Sequence, residues 1–376
     1  GFGAEELNKM LLSLKEYTNL PILIMPNAGM PVIINGKAQY LTTDVEFAAS
    51  IRNIVKDGAY LVGGCCGTNP LHMKKVVEFC RDLPLTKRKE KVFSRVSSYA
   101  KTVNFDKTII VGERINPTGR KLMKEALRVL DYNFIVDEAL LQEEQGAHIL
   151  DVNVGLADID EKKVLTESIE HIQAASILPL QIDTSNEYAL SQALRIYNGK
   201  PLINSVNGKQ SSMDAIFPLV SKYGAMVVCL TLDDGGIPDN VEGRIEIARK
   251  ILTEAKKYEI PKENLIFDAL AMTISAGKDN AKITLETVRR LTEELHVKTI
   301  LGVSNISFGL PNRDIINSVF FAKALEKGLS AGIINPASNL MLQSYYAHEA
   351  LSGNDDNCKN YIAYYGSKDI VIGEKK

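Results

Sequence analysis

The fold is decided by the stretch TIIVGE, residues 108–113, in which a short apolar run ends at a carboxylate, Glu113. The pattern recurs seven more times, and each later run is followed by Asp, Asn or Ser. The eight runs are Thr108–Val111, His148–Leu150, Leu180–Ile182, Pro201–Ile203, Met226–Leu232, Leu265–Phe267, Thr299–Val303 and Gly332–Ile334. Between them, stretches such as Glu187–Tyr197 carry apolar residues at helical spacing. This alternation predicts an α/β fold, a (β/α)₈ TIM barrel over residues 108–350, with a doubly wound open sheet as the alternative.

Residues 1–84 show the same alternation of strands and helices but are too short for a second complete barrel. Their predicted elements are the helices Ala4–Tyr17, Asp44–Asp57 and Pro70–Arg81 and the strands Pro21–Met25 and Tyr60–Val62. Two strands cannot close a sheet, so strand edges and an apolar face would be exposed. We therefore expect residues 1–84 to be the C-terminal part of another β/α barrel. Residues 85–107, rich in Lys, Arg and Ser, are predicted to be a linker, and the polar residues 351–376 a tail toward a further module.

Composition indicates a globular protein without a strong charge. Of 376 residues, 45% are hydrophobic and 24% charged, which is enough apolar material for a sizeable core. The net charge of −2 gives no field that would attract nucleic acid or an anionic membrane. No apolar run reaches the roughly 20 residues that span a bilayer. The five cysteines form no disulfide framework, so a cytoplasmic location is expected.

Polar side chains collect where the predicted strands end. They are Glu113, Asn116, Asp151, Asn153, Asp183, Asn204, Asn207, Asp268, Ser304, Asn305 and Asn335. Barrel enzymes bind their ligands at this rim. Carboxylates and carboxamides without histidine suit hydrogen-bond recognition of a flat polar heterocycle. For any single position a helix cap is the simpler explanation, but the whole set favours a binding site.

Several of these strand ends resemble the motifs of the pterin-binding methyltransferase family. The motifs are Gly112–Gly119, Leu150–Asn153, Gln181–Asp183, Leu202–Ser205, Ile266–Asp268 and Gly302–Arg313. They follow one another in the family's order and cover about residues 105–350. The resemblance implies that the barrel binds 5-methyltetrahydrofolate. It also implies that the methyl group passes to the Co(I) of a cobalamin carried on a separate module or protein.

The resemblance also implies roles for individual residues. Asp183, Asn204 and Asp268 would hydrogen-bond the pyrimidine edge of the folate, while Asn305 would reach N5. Because N5 must become cationic before its methyl leaves, a group that stabilises protonated N5 lowers the barrier. Arg313 would hold its loop or meet an anionic part of the substrate, with a surface ion pair as the alternative. The expected pterin-site residues are Asp151, Asn153, Asp183, Asn204, Asp268, Ser304, Asn305 and Arg313, with Asp183 and Asn305 as the catalytic pair.

A second motif, GGCCGT at residues 63–68, places two adjacent cysteines at a strand end. Small buried residues are the simplest explanation for such a pair, but two thiolates also ligate a soft metal. The stretch resembles the last strand end of homocysteine methyltransferase barrels, where two cysteines and a third from an earlier strand bind zinc. This implies Cys65 and Cys66 as zinc ligands. No cysteine precedes Cys65, so the implied site lacks its third ligand in this chain and homocysteine would bind only to a completed barrel.

Together the two resemblances favour a methyltransferase of methionine biosynthesis with a truncated homocysteine barrel and an intact folate barrel. The alternatives are a methyltetrahydrofolate:corrinoid iron–sulfur protein methyltransferase and a non-catalytic scaffold that docks a corrinoid protein. The first would not need the GGCCGT stretch. Dihydropteroate synthase, which shares the barrel, would need a basic rim for its pyrophosphate leaving group, which these residues lack.

Overall fold

A computed structural model describes residues 2–85 and 91–366. The chain divides into two units, Gly1–Val92 and Phe93–Lys376. None of the helices in the described residues combines the length and apolar character that a membrane span requires.

Within its described residues, the first unit contains three helices and two small sheets. Its elements are α1 (Ala4–Leu14), β1 (Leu23–Ile24), β2 (Val32–Ile34), β3 (Lys37–Gln39), α2 (Asp44–Lys56), β4 (Leu61–Val62) and α3 (Pro70–Cys80). Strands β1 and β4 pair in parallel, whereas β2 and β3 form an antiparallel hairpin. The helix α2 begins at a capping box in which Thr43 and Glu46 each bond the other's backbone. The predicted helices and strands are confirmed; the hairpin was not predicted.

The second unit, as described over residues 93–366, contains ten strands and most of the helices. Its strands are β5 (Arg95–Ser97), β6 (Thr102–Asn104), β7 (Ile109–Ile115), β8 (Ile149–Asn153), β9 (Leu180–Asp183), β10 (Leu202–Asn207), β11 (Met226–Leu230), β12 (Leu265–Asp268), β13 (Lys298–Gly302) and β14 (Ala331–Ile334). Its helices are α4 (Lys121–Val129), α5 (Tyr132–Glu144), α6 (Glu161–Ala175), α7 (Glu187–Ile196), α8 (Gln210–Tyr223), α9 (Val241–Lys257), α10 (Asn280–Glu293), α11 (Arg313–Glu326), α12 (Asn339–Leu351) and α13 (Lys359–Gly366). Short 3₁₀ helices lie at Lys262–Asn264, Val303–Ser307 and Asp356–Cys358.

Strands β7 to β14 form a closed parallel barrel in chain order. The decisive pairing joins the last strand to the first, since Ala331 lies opposite Ile109 and Ile334 opposite Gly112. This pairing confirms the (β/α)₈ barrel and rules out the open sheet. Alternate strand residues fill the barrel interior, and the others pack against the surrounding helices.

The predicted linker over residues 85–107 is wrong for its second half. Strands β5 and β6 form an antiparallel hairpin, and Val96, Val103 and Phe105 are buried in the same apolar cluster as the barrel interior. Because the hairpin leads directly into β7, it closes the end of the barrel at which the strands begin. Burial of these three side chains outweighs the polar composition of the segment. Residues 86–90 lie outside the described residues.

The predicted tail is also partly structured. After α12 the chain forms α13, whose Tyr364 ring stacks on Tyr346 with centroids 4.5 Å apart. Residues 352–366 therefore continue the second unit. Residues 367–376 of the predicted tail lie outside the described residues.

Candidate functional site

Three of the predicted site residues are direct neighbours across the barrel strands. In the parallel register, Asn153 at the end of β8 lies opposite Asp183 at the end of β9, and Asp183 lies opposite Asn204 on β10. The Asn153 carboxamide donates to Asp183 Oδ2 at 2.9 Å. All three side chains are half-buried. The C-terminal rim therefore holds an acid between two carboxamides.

Below this row, Asp151 is almost enclosed, with 3% of its surface exposed. Its Oδ1 accepts a hydrogen bond from Gln181 Nε2 at 2.5 Å. Burial raises the pKa of Asp151 well above its usual range, and the nearby Asp183 charge raises it further, while bonds from Gln181 and Asn204 act in the opposite direction. Burial also raises the pKa of Asp183, against the hydrogen bond from Asn153. The charge of Asp183 thus opposes ionisation of Asp151.

Asp268 at the end of β12 is the third buried acid, with 9% of its surface exposed. Its Oδ1 accepts from the backbone N–H of Leu270 at 2.7 Å. Burial raises the pKa of Asp268 to about 6, although the Leu270 N–H and the charge of Arg244 favour the ionised form. Asp268 therefore titrates close to neutral pH.

Sequence reasoning missed Arg244, which fixes the loop after Asp268. This arginine on α9 is 1% exposed, and its guanidinium donates to the carbonyls of Pro238, Ala269 and Leu270 at 3.0, 2.5 and 2.9 Å. Leu270 has a φ of +59°, a conformation that non-glycine residues rarely adopt. A signal was present, because Arg244 falls on the apolar stripe of α9 with Ala248.

Asn305 lies on the 3₁₀ helix Val303–Ser307 that follows β13, and it is exposed. Within the described residues its carboxamide has no hydrogen-bond partner. Arg313 donates to the Ser304 carbonyl at 2.5 Å and to Ser307 Oγ at 3.0 Å, so its guanidinium contacts this turn. The Ser304 hydroxyl donates to both carboxylate oxygens of Glu113, at 3.1 and 3.2 Å.

Electrostatics link these groups around the rim. The charge of Glu113 raises the pKa of Asp151, as does that of Asp183. The Ser304 turn, Glu113, Asp151 and Asp183 therefore share one mouth of the barrel. Gln181 and Glu113 are the partners that sequence reasoning did not assign.

Three other rim residues stabilise the turns in which they lie. The side-chain oxygens of Asn116, Asn207 and Asn335 accept from the backbone N–H two residues later, at 2.9, 3.0 and 3.0 Å. These are the local turns that asparagine commonly stabilises. Local turns, rather than helix caps, thus account for these three asparagines, but not for Asp183 or Asn305.

The two adjacent cysteines lie in the first unit, after β4. Cys65 and Cys66 are exposed, and their Sγ atoms are 3.8 Å apart. The Cys66 N–H donates to Asn27 Oδ1 at 3.2 Å, which ties the pair to the end of β1. In the part of the chain that the structure describes, no group of three His, Cys, Asp or Glu side chains could hold a metal. All five cysteines are free thiols.

The family model described as pterin binding enzyme matches residues 112–335. The chain belongs to this family. The model of homocysteine S-methyltransferase matches residues 2–80, the first unit. A methylcorrinoid:tetrahydrofolate methyltransferase of Eubacterium limosum is 32% identical over 258 residues, which cover 67% of this chain and 94% of that protein. The pterin-binding unit therefore belongs with the methyltransferases of the family.

Longer relatives match both units. Methionine synthases of Mycobacterium tuberculosis and Mycobacterium leprae are 31% and 32% identical over 355 and 363 residues. These alignments cover 90% of this chain but only 30% of each relative, so the chain spans about a third of their length. The chain is thus similar to one stretch of methionine synthase that contains both family matches.

Among solved structures, the dihydropteroate synthase of Xanthomonas albilineans in complex with 7,8-dihydropteroate has a TM-score of 0.54 and 20% identity, covering 69% of this chain and 98% of that one. The Yersinia pestis enzyme has a TM-score of 0.51 and 15% identity, covering 70% and 100%. At these identities the likeness shows the fold of the pterin-binding unit and nothing more.

Proposed function

We propose that the pterin-binding unit binds 5-methyltetrahydrofolate at its rim and delivers the methyl group to cobalamin held by a partner module, as a step of methionine formation. One observation carries the proposal. Asp183 and Asp268 each have one carboxylate oxygen held by a protein donor, while the other has no donor within residues 2–85 and 91–366. A carboxylate at the rim that is only half-satisfied by the protein is suited to accept N–H groups from a ligand.

The pyrimidine edge of a pterin presents adjacent N–H groups and a carbonyl. Asp183 and Asp268 would accept from the N–H groups, and Asn204 would complement them with its own donor and acceptor. From β8, Asn153 would hold Asp183 on the neighbouring strand, and Asp151 would hold Asn204. The row Asn153–Asp183–Asn204 in the strand register supports this arrangement.

Methyl transfer requires a positive charge on N5, because only then does the methyl leave as an electrophile. Asn305 would accept the N5–H with its side-chain oxygen and stabilise that charge. Cobalamin, when bound, supplies the Co(I) nucleophile that takes the methyl group. The residues present fit an acceptor that approaches from outside the barrel, since Asn305 is exposed and Phe308 on the same loop is 66% exposed.

For the first unit we propose a role in homocysteine activation at a zinc ion, within a barrel completed by a third zinc ligand that this chain does not supply. Tetrahedral zinc with bonds of about 2.3 Å separates two sulfur ligands by about 3.8 Å. The Sγ atoms of Cys65 and Cys66 are 3.8 Å apart, so the pair fits two corners of such a site. Zinc, when bound, would lower the pKa of the homocysteine thiol. With free thiols throughout, we expect the protein in the cytoplasm.

A second candidate is the reverse reaction, in which a methylated corrinoid donates to tetrahydrofolate. The observation in its favour is that the Eubacterium limosum relative is matched over 94% of its length by this chain. The homocysteine S-methyltransferase match over residues 2–80 favours the first candidate. Rates measured in both directions with free cobalamin would separate the two.

The test uses the whole chain with free cob(I)alamin as methyl acceptor. We expect 5-methyltetrahydrofolate to bind and to convert cob(I)alamin to methylcobalamin, followed by its visible spectrum. Asp183→Ala should weaken folate binding about 10- to 100-fold, since a hydrogen bond to a charged group is lost. Asn335→Ala is the matched control, because that carboxamide bonds its own turn. Failure of the wild-type protein to bind folate would leave only the docking scaffold.

A further inference from the structure

The position of the Asn305 side chain depends on the turn that carries it. The carboxamide itself has no partner in the described part of the chain. Gly302 lies beneath it, and a Cβ atom there would be only 3.0 Å from Asn305 Nδ2. An unbonded amide would sample several rotamers. The position of Asn305 is therefore set by the bonds that hold the backbone of the Val303–Ser307 turn, which we call its anchors.

Two anchors, to the helix α11 and to the backbone at Ile274, tie this turn to nearby parts of the chain. Ser307 donates to Asn317 Oδ1 at 2.6 Å on α11, and Arg313, at the start of the same helix, donates to the Ser304 carbonyl. The Ile306 carbonyl accepts from the N–H of Ile274 at 3.0 Å. These bonds hold the backbone of the turn and the Ser307 side chain, but none of them involves the Ser304 hydroxyl.

The third anchor crosses the barrel mouth. Ser304 Oγ donates to both oxygens of Glu113, which stands at the end of β7. In the closed barrel β14 separates β7 from β13, so this bond joins two strands that do not pair. Ser304 is the hydrogen-bond partner that the described residues give to this largely buried carboxylate, and burial raises the pKa of Glu113 against that bond.

We propose that Glu113 is a positioning residue for methyl transfer, which acts through the Ser304 hydroxyl to fix the turn that presents Asn305. Glu113 touches neither the folate nor the cobalt in this scheme. It supplies a rigid acceptor on a barrel strand, and Ser304 transmits that rigidity to the next residue along the chain. Small displacements of a catalytic group slow a reaction sharply while leaving ground-state binding nearly intact. The proposal rests on the proposed function of the same site.

The experiment measures the folate Kd and the single-turnover rate of cob(I)alamin methylation separately, in the whole chain. Glu113→Ala and Ser304→Ala should each slow transfer about 10- to 100-fold and change the folate Kd less than about 3-fold. The double variant should be no slower than either single variant, because both remove the same bond. Glu113→Gln, which keeps an acceptor oxygen, should recover the rate to within about 5-fold of wild type.

Ser307→Ala is the matched control, since it removes a hydroxyl of the same turn that bonds Asn317 and Arg313 rather than Glu113. In a double variant of Ser307→Ala and Glu113→Ala, the two fold-reductions in the methylation rate should therefore multiply. A rise in the folate Kd of Glu113→Ala by more than 10-fold would overturn the proposal, since Glu113 would then contact the substrate. A Glu113→Gln rate as low as that of Glu113→Ala would do the same, since an ionisable carboxyl, and not merely an acceptor oxygen, would then be needed. If wild type neither binds folate nor methylates cob(I)alamin, the proposed function fails instead.

Discussion

Replacing Asp268 with asparagine is expected to stabilise the free protein at neutral pH. Burial raises the pKa of this side chain from 3.8 to about 6, so the folded state binds its proton more tightly than the unfolded state does. Stability therefore falls as the pH rises between these two values and stays low above them. At about 1.4 kcal/mol for each pH unit, the ionised side chain costs about 3 kcal/mol at neutral pH. Asparagine carries no charge and keeps an oxygen for the Leu270 N–H, which Asp268 now accepts at 2.7 Å.

Urea unfolding at about pH 4 and about pH 7.5 measures this difference. The Asp268→Asn variant should exceed wild type by about 3 kcal/mol at the higher pH and match it at the lower one. Asp234→Asn is the control, because Asp234 is exposed after the neighbouring strand and its replacement should change the free energy of unfolding by less than about 0.5 kcal/mol. A variant that is less stable than wild type at about pH 7.5 would refute the reasoning, since the ionised carboxylate would then be stabilising.

Three further changes probe the supports of the site. Arg244→Met removes the donors of three backbone carbonyls. It should lower the free energy of unfolding, measured in urea, by about 3–5 kcal/mol. A loss below about 1 kcal/mol would contradict the role of this arginine. Phe105→Ala should lower it by about 3–5 kcal/mol if the hairpin closes the barrel, whereas a linker residue would cost almost nothing. Gly302→Ala should slow cob(I)alamin methylation about 10-fold at unchanged thermal stability, because the added Cβ displaces the Asn305 side chain. An unaltered rate would mean that the position of the Asn305 amide is not critical.

The barrel could be predicted because each of its strands has a recognisable sequence pattern. Parallel strands covered on both faces are continuous apolar runs, and the polar residue that ends each run marks the rim. Strand β12 matches its predicted run of Leu265–Phe267 to within one residue. Closure itself, from β14 back to β7, could be inferred only from the number of units.

The two hairpins were harder to predict for opposite reasons. In residues 93–107 only Val96, Val103 and Phe105 face the core, and the surrounding Lys, Arg and Ser give the segment the composition of a linker. The other hairpin turns at Asn35-Gly36, where both residues have positive φ, 52° and 73°. Asn-Gly is the strongest short-range hairpin signal and was available in the sequence. The flanking side chains are exposed, so no alternation of buried and exposed residues accompanied it.

Strand ends predicted which side chains stand at the rim, but not which of them bond each other. Asp151 and Gln181 are 30 positions apart, and only the register of β8 with β9 places them together. Gln181 also lies within an apolar run, where sequence gives no direction for its side chain. The bond from Ser304 to Glu113 spans 191 positions and depends on closure of the barrel. Such partners are set by tertiary geometry, which sequence spacing alone does not encode.

The electrostatics of the rim argue for a ligand independently of any family likeness. Burial raises the pKa of Asp151, Asp183 and Asp268, so each of these acids destabilises the free protein once it is ionised. Apolar or amide side chains of similar size would avoid that cost. The cost is offset only if a bound molecule brings N–H donors to the oxygens that the protein leaves open. A planar heterocycle with adjacent N–H groups does so, whereas an apolar ligand would leave these oxygens without a donor.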